Sequence, residues 1–337
     1  MTYSPLGRSG IKISKACLGT MNFGVGKGMG SVDEAEARQI IDRFLDAGHN
    51  LIDTANVYNG GQAEEFVGRA VKSRREAAVI ATKAFLPQGN LPNDSGLSRL
   101  HLTRALDGSL RRLGTDYIDL YQANLWDPVT PIEETVATLD SFVQAGKIRY
   151  YGCANFTAAQ VVESQWAARR IGAEGYISLQ AQYSLINRDI EADILRTCER
   201  QGLGVLTYAS VAGGVLAGRY RRDTEPDRDS RLGRLFAIPA PSARRWAEEL
   251  LNEHTLDIAD TVREVADAVG STSAAVAHAW LAANPAVAGV ITGPRTVEQH
   301  EENMSGFDLN LPEELVARLD QVSGPAPRPV TGIRHAV

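Results

Sequence analysis

Short runs rich in β-branched and aromatic residues alternate with longer stretches of helical period along nearly the whole chain, and no other feature limits its fold so tightly. The strand-like runs fall at 16–20, 50–53, 79–83, 117–122, 149–153, 177–180, 204–208 and 289–292. Strands separated by helices cannot be joined by tight turns, so consecutive strands lie parallel and the helices cover the sheet. Eight such units favour closure into a (β/α)8 TIM barrel, with an open doubly wound sheet of Rossmann type as the runner-up. Residues 1–325 read as one domain and 326–337 as an irregular tail.

Helix boundaries follow from capping chemistry. Ser31, with Glu34 three residues on, is expected to open a helix over 35–46 that stops at Gly48. Ser98 or Thr103 opens one that runs through Leu113 to Gly114, and Pro131 begins one that ends at Gly146. Further helices fit 158–170, 190–201 and 261–269. The turn-like stretch Leu6-Gly7-Arg8-Ser9-Gly10-Ile11, flanked by short extended segments, predicts a β-hairpin that plugs the barrel floor. The longest departure from alternation is 218–254, after the seventh barrel strand, where Arg, Asp and Pro precede a helix-like piece at 242–251. Barrel active sites are built from loops on that face, so this one is expected to cover a cofactor or substrate.

Composition removes several classes of function. The net charge is −6 and the basic residues are dispersed, so neither a nucleic-acid footprint nor a polybasic membrane patch is expected. The first residues have no apolar core of signal-peptide type and no apolar run approaches membrane-spanning length, which predicts a cytoplasmic protein. Cys17, Cys153 and Cys198 are isolated and read as reduced thiols, and no metal-ligand spacing is present. The run Gly24-Val25-Gly26-Lys27-Gly28-Met29-Gly30 fails the phosphate-loop tests. Lys27 is followed by glycine rather than Ser or Thr, and the spacing does not place a third glycine at a helix start, so a flexible loop is expected.

Four residues stand where apolar strands run out, or just beyond: Asp53, Tyr58, Lys83 and Asn124. An acid, a lysine and a tyrosine so placed can make a phenol of lowered pKa, a proton donor for carbonyl reduction. An ammonium about 4 Å from the phenol contributes on the order of 4 kcal/mol at an effective dielectric near 20. The rival reading makes Asp53 and Lys83 a structural ion pair. None of His49, His101, His254, His278, His300 and His335 is expected beside this set.

Asp53-Thr54-Ala55-Asn56-Val57-Tyr58, Glu64-Glu65 with Gly68, Lys83, Gly152-Cys153-Ala154-Asn155-Phe156, Gln180-Ala181-Gln182-Tyr183, and Ile291-Thr292-Gly293-Pro294-Arg295 with Glu302-Asn303 together resemble the aldo-keto reductase family, in order over 6–310. The resemblance implies a TIM barrel that binds NADPH/NADP without a Rossmann domain. It implies Tyr58 as the acid that protonates a carbonyl oxygen while hydride arrives from the nicotinamide, with Lys83 and Asp53 supporting it. Asn124 stands where the family usually has histidine, as in potassium-channel β subunits. An amide can donate a hydrogen bond but cannot relay a proton.

The same resemblance gives the cofactor contacts. Asn155 and Gln180 correspond to the pair that holds the nicotinamide carboxamide, and Tyr208 to the aromatic stacked on its ring, although Ala154 replaces a usual serine. Bland alternatives stay open: Tyr208 as core, and the two amides as partners of backbone groups. Thr20, Met21, Asp53, Ala209, Gly218 and Gly293 complete the cofactor wall, and Arg295, Gln299, Glu302 and Asn303 hold the adenosine end. A guanidinium fork suits a 2′-phosphate, which favours NADPH over NADH. Phe23, Tyr58, Phe85 and Trp126 are the expected substrate pocket, with Trp126 alternatively packed on its neighbour.

The implied partner is a small-molecule carbonyl, and Leu18-Gly19-Thr20-Met21-Asn22-Phe23-Gly24 resembles reductases of sugar-like or nucleotide-linked deoxysugar aldehydes. Reduction of an activated C=C bond and a cofactor-sensing regulatory subunit with negligible turnover are the alternatives, and a homo-oligomer stays open.

Overall fold

The computed structural model describes residues 3–26 and 30–324. Lys27 to Met29 of the glycine-rich run and the expected tail at 326–337 lie outside the described residues. Strands β1 (Tyr3–Pro5) and β2 (Lys12–Ser14) pair antiparallel with Tyr3 opposite Ser14. Eight parallel strands then close into a barrel: β3 (Ala16–Gly19), β4 (Leu51–Asp53), β5 (Val79–Ala84), β6 (Ile118–Ala123), β7 (Ile148–Ala154), β8 (Ser178–Gln182), β9 (Gly204–Tyr208) and β10 (Val287–Thr292). Each pairs with its sequence neighbours, and β10 returns to β3 with Val290 beside Ala16. The fold is the expected (β/α)8 barrel with an N-terminal hairpin, and the open-sheet alternative is excluded by the β10–β3 pairing.

Period-two alternation decides what the barrel encloses. Cys17, Leu51, Ala81, Leu120 and Leu206 form one buried cluster with Leu6 and Ile13 of the hairpin. Leu18, Ile52, Ile80, Tyr121 and Val205 belong instead to the larger cluster packed on the helices. The hairpin closes the floor. Gly7 has φ +61°, and a Cβ there would come within 2.5 Å of the Gly202 carbonyl oxygen, so only glycine lets the turn press against the barrel. Two residues further up the inward rows come Asp53, Lys83, Gln122 and Tyr208, at the opposite, C-terminal ends of the strands.

The outer shell consists of α1 (Glu34–Asp46), α2 (Gln62–Val71), α3 (Arg99–Leu113), α4 (Ile132–Gln144), α5 (Ala158–Arg170), α6 (Ile194–Gln201), α7 (Arg231–Ala237), α8 (Pro241–Leu250), α9 (Glu253–Val269), α10 (Ser273–Ala283), α11 (Val297–Ser305) and α12 (Glu313–Ser323). The cap of α1 is Asp33, whose carboxylate accepts from the Glu36 amide at 2.9 Å, and not Ser31. Ser98 rather than Thr103 caps α3; the Thr103 hydroxyl donates to the Arg99 carbonyl inside the helix. Helix α6 starts at Ile194 because 189–191 forms a separate 3-10 turn, while α9 begins well before the expected 261. In 218–254, α8 is the expected helical piece at 242–251, and α7 is a second helix where loop was expected. Among the described residues, no helix is long and apolar enough to cross a membrane.

Candidate active site

Asp53, Lys83 and Tyr58 meet at the mouth of the barrel. Lys83 is only 1% exposed, and an ammonium so deeply buried must find oxygen acceptors. Its Nζ donates to Asp53 Oδ2 at 2.7 Å, to the Thr54 carbonyl at 2.8 Å and to Tyr58 Oη at 3.3 Å. The other Asp53 oxygen accepts from Gln180 Nε2 at 2.8 Å and from Gln122 Nε2 at 3.3 Å. Three strands therefore send donors to one carboxylate.

Tyr58 is carried there by an abrupt turn. Asn59 (φ 52°), Gly60 (φ 69°) and Gly61 (φ 94°) are successive left-handed residues between β4 and α2. A Cβ at Gly61 would lie 2.6 Å from Arg112 Cδ. Asn59 accepts its unusual backbone because its side-chain amide donates to the Met21 and Phe23 carbonyls, at 2.8 and 2.6 Å.

The electrostatics correct one expectation. Burial opposes the charge on Lys83, but Asp53 and then Tyr58 more than compensate and raise its pKa above 10.5. For Tyr58 burial is the largest influence and raises its pKa above 10.0; Lys83 pulls the other way without prevailing, Asp53 adds to the rise, and Arg231 opposes it. The phenol is thus not of lowered pKa in this state. It remains neutral at physiological pH, with the ammonium beside it to favour phenolate character as a proton leaves.

Asn124, Asn155 and Tyr208 form a second group. Asn155 Nδ2 donates to the Asn124 carbonyl at 3.0 Å, and Tyr208 Oη donates to Asn155 Oδ1 at 2.7 Å. The Asn124 amide side chain has no hydrogen-bond partner among the described residues, and Asn124 lines the same cavity as Tyr58. It can therefore donate to an incoming oxygen.

One cavity joins these groups to most of the expected cofactor contacts. Thr20, Met21, Asp53, Asn155, Gln180, Tyr208 and Ala209 line one part, and Gly293, Arg295, Gln299, Glu302 and Asn303 line another. Gly218 does not line it, although Ala217 and Arg219 do. The expected pocket walls are corrected in part. Phe23, in the loop after β3, is fully buried, Phe85 packs against the core, and Trp126 sits edge-on to Phe156 with centroids 5.3 Å apart. Met21, Asn22, Ser31, Arg231 and Trp246 line the cavity with Tyr58.

The segment after β9 supplies what the sequence reading missed. Arg219, Arg231 and Arg234 join Arg295 on the cavity wall, and among the described residues none of the four forms an ion pair. Arg231 lies over the Trp246 ring at 5.6 Å, and the Arg295 guanidinium donates to the Asp229 carbonyl at 3.0 Å. Burial, with like charges nearby, pushes the pKa of Arg231 and Arg295 below the ordinary guanidinium value. Convergent guanidiniums that no carboxylate pairs among the described residues are matched to a ligand that carries several negative oxygens. The Arg-rich composition of 218–254 was a usable signal, but no spacing marked which arginines turn inward.

Two further features border the cavity. Ala209 (φ 58°) and Ala212 (φ 47°) are left-handed without the side-chain hydrogen bonding that helps asparagine there, a strain of about 1–2 kcal/mol each. Ser210 lies between them, its hydroxyl 2.9 Å from Nε2 of His278. Burial pushes the pKa of His278 down to about 4, so the ring is neutral. Its side-chain partner is Ser210, and it makes no hydrogen bond to Tyr58 or Lys83 among the described residues.

Comparison with known proteins gives the context. The model described as "Aldo/keto reductase family" matches residues 15–323. "Uncharacterized oxidoreductase YrpG" of Bacillus subtilis is 35% identical over 96% of each chain. "Probable voltage-gated potassium channel subunit beta" of Oryza sativa subsp. japonica is 36% identical over 97% of this chain and 98% of its own. "Norsolorinic acid reductase" of Aspergillus flavus is 33% identical over 93% of this chain and 78% of its own.

Proposed function

Since the chain belongs to the aldo/keto reductase family, whose chemistry is oxidoreduction with nicotinamide cofactors, we propose that it reduces an aldehyde or ketone to the alcohol with NADPH. The observation that carries this reading is the Asp53–Lys83–Tyr58 chain of contacts, 2.7 and 3.3 Å, opening into a cavity walled by four arginines that form no ion pairs among the described residues. The bound dinucleotide supplies hydride. Everything else is done by side chains.

In this reading Tyr58 donates a hydrogen bond to the carbonyl oxygen and gives up its proton as negative charge develops there. Lys83 steadies the phenolate that remains, and Asp53 keeps Lys83 charged and aimed. The Asn124 amide serves as a second donor to the same oxygen. Asn155 and Gln180 would hold the nicotinamide carboxamide, and Tyr208 would offer its face to the ring. The arginines and Gln299 would take the phosphates and the adenosine end, with Arg295 suited to the 2′-phosphate that separates NADPH from NADH. Relatives named as reductases support carbonyl reduction, although the substrate class among sugar-like aldehydes rests on sequence resemblance alone.

A second reading, a cofactor-sensing subunit with negligible turnover, is favoured by the relatives named as potassium channel β subunits, 36% and 37% identical. One screen decides between the readings, and also tests C=C reduction: NADPH oxidation with a panel of aldehydes, ketones and enones. Turnover with a carbonyl supports the proposal; turnover confined to enones replaces it with C=C reduction. Tight NADPH binding without turnover on any compound favours the sensor.

A further inference from the structure

The turn at 209–212 has an unfavourable shape that a contact to a residue outside it holds in place. Ala209 and Ala212 both have positive φ, and the backbone between them closes through the Ala212 amide donating to the Ala209 carbonyl at 2.8 Å. Alanine relaxes readily out of the left-handed region, so the turn needs an anchor. Ser210 provides one. Its hydroxyl meets Nε2 of His278 at 2.9 Å, and the two residues are 3% and 0% exposed. The ring is fixed in turn by α10 and by Phe307, stacked with centroids 5.8 Å apart and planes 24° from parallel.

What the turn positions is the middle of the cavity wall. Ala209, Ser210 and Val211 line it directly. Behind them, Cβ atoms built at Gly213 and Gly214 would lie 3.4 Å from Arg231 Cγ and 2.8 Å from Arg219 Cδ, so the turn's continuation is the surface on which both arginines rest. A buried serine–histidine pair plays no part in moving the hydride or the proton. We propose that Ser210 and His278 are positioning residues for the dinucleotide: their hydrogen bond holds the strained turn in the shape that sets the cofactor wall and the two arginines behind it. This rests on the NADPH reading above.

Ser210→Ala removes the bond with little change of volume, and the probe is NADPH, followed by quenching of protein fluorescence. The expected result is NADPH binding weaker by about tenfold. The turnover number at saturating NADPH should stay within about twofold, and thermal stability should fall modestly because buried His278 Nε2 loses its partner. Hydrogen exchange in the cofactor-free variant should be faster at the amides of 212–216. Ala209→Gly removes strain and, added to Ser210→Ala, should restore most of the affinity. His278→Leu should reproduce the Ser210→Ala phenotype if it folds. Wild-type affinity and wild-type exchange in Ser210→Ala overturn the inference, as does lowered thermal stability with unchanged affinity. If the wild-type protein itself takes up no NADPH, the functional reading falls and this inference falls with it.

Discussion

The ammonium of Lys83 stands 3.3 Å from the phenol oxygen of Tyr58, yet burial outweighs it and holds the phenol above its ordinary pKa of 10.0. A general acid must be protonated before it acts, and a raised pKa extends the protonated range upward. Lys83 is also raised, above 10.5, and stays charged over the same range. The turnover number for carbonyl reduction should therefore be flat through neutral pH and fall only in the alkaline region above 10.0. A pH profile at saturating substrate checks this, and a fall centred near neutrality would place the acid elsewhere.

Asp53 is expected to matter for stability as well as for chemistry. Asp53→Ala leaves the buried Lys83 without its carboxylate, a loss of about 3–5 kcal/mol in urea unfolding. Adding Lys83→Met removes the stranded charge and should recover a large part of that loss. A single variant within 1 kcal/mol of wild type, an order-of-magnitude threshold of about a surface pair's worth, would mean that water reaches the ammonium.

Asn124→His should raise turnover of simple aldehydes, because an imidazole can donate as the amide does and can also carry charge. Reduction should then acquire a pH dependence of its own near about 6.5. Lower activity on every carbonyl would show that the amide is adapted to a particular substrate.

Arg295→Ala should weaken NADPH binding by about 10–100-fold and leave NADH binding nearly unchanged, since a charge-assisted bond to a phosphate is the interaction removed. Parallel titrations with the two cofactors measure it. Equal losses for both would assign Arg295 to the diphosphate.

The barrel was legible because its signals are local. Val79–Ala84 and Gly204–Tyr208 are compact β-rich runs, and Ser98 and Gly114 mark the ends of α3 in the chain itself. Helix α10 was not visible, because Ala274–Leu281 is buried on every side and so carries no amphipathic stripe. In the site, the meeting of Asp53 and Lys83 could be expected from strand ends, whereas Tyr58, five residues past β4, depends on the turn that follows that strand. The sign of the Tyr58 shift could not be expected, since it depends on how much protein surrounds the ring. Arg231 and His278 were equally hidden. Their roles come from contacts with Trp246 and Ser210, residues distant in sequence or unremarkable in composition.

The central claim is that Tyr58 supplies the proton when a carbonyl is reduced. Steady-state NADPH oxidation by wild type and Tyr58→Phe, with the best aldehyde from the screen, tests it most directly, with NADPH affinity measured alongside. The account predicts a loss of turnover of about 10²–10⁴-fold with NADPH affinity retained. Turnover by Tyr58→Phe equal to wild type would contradict it.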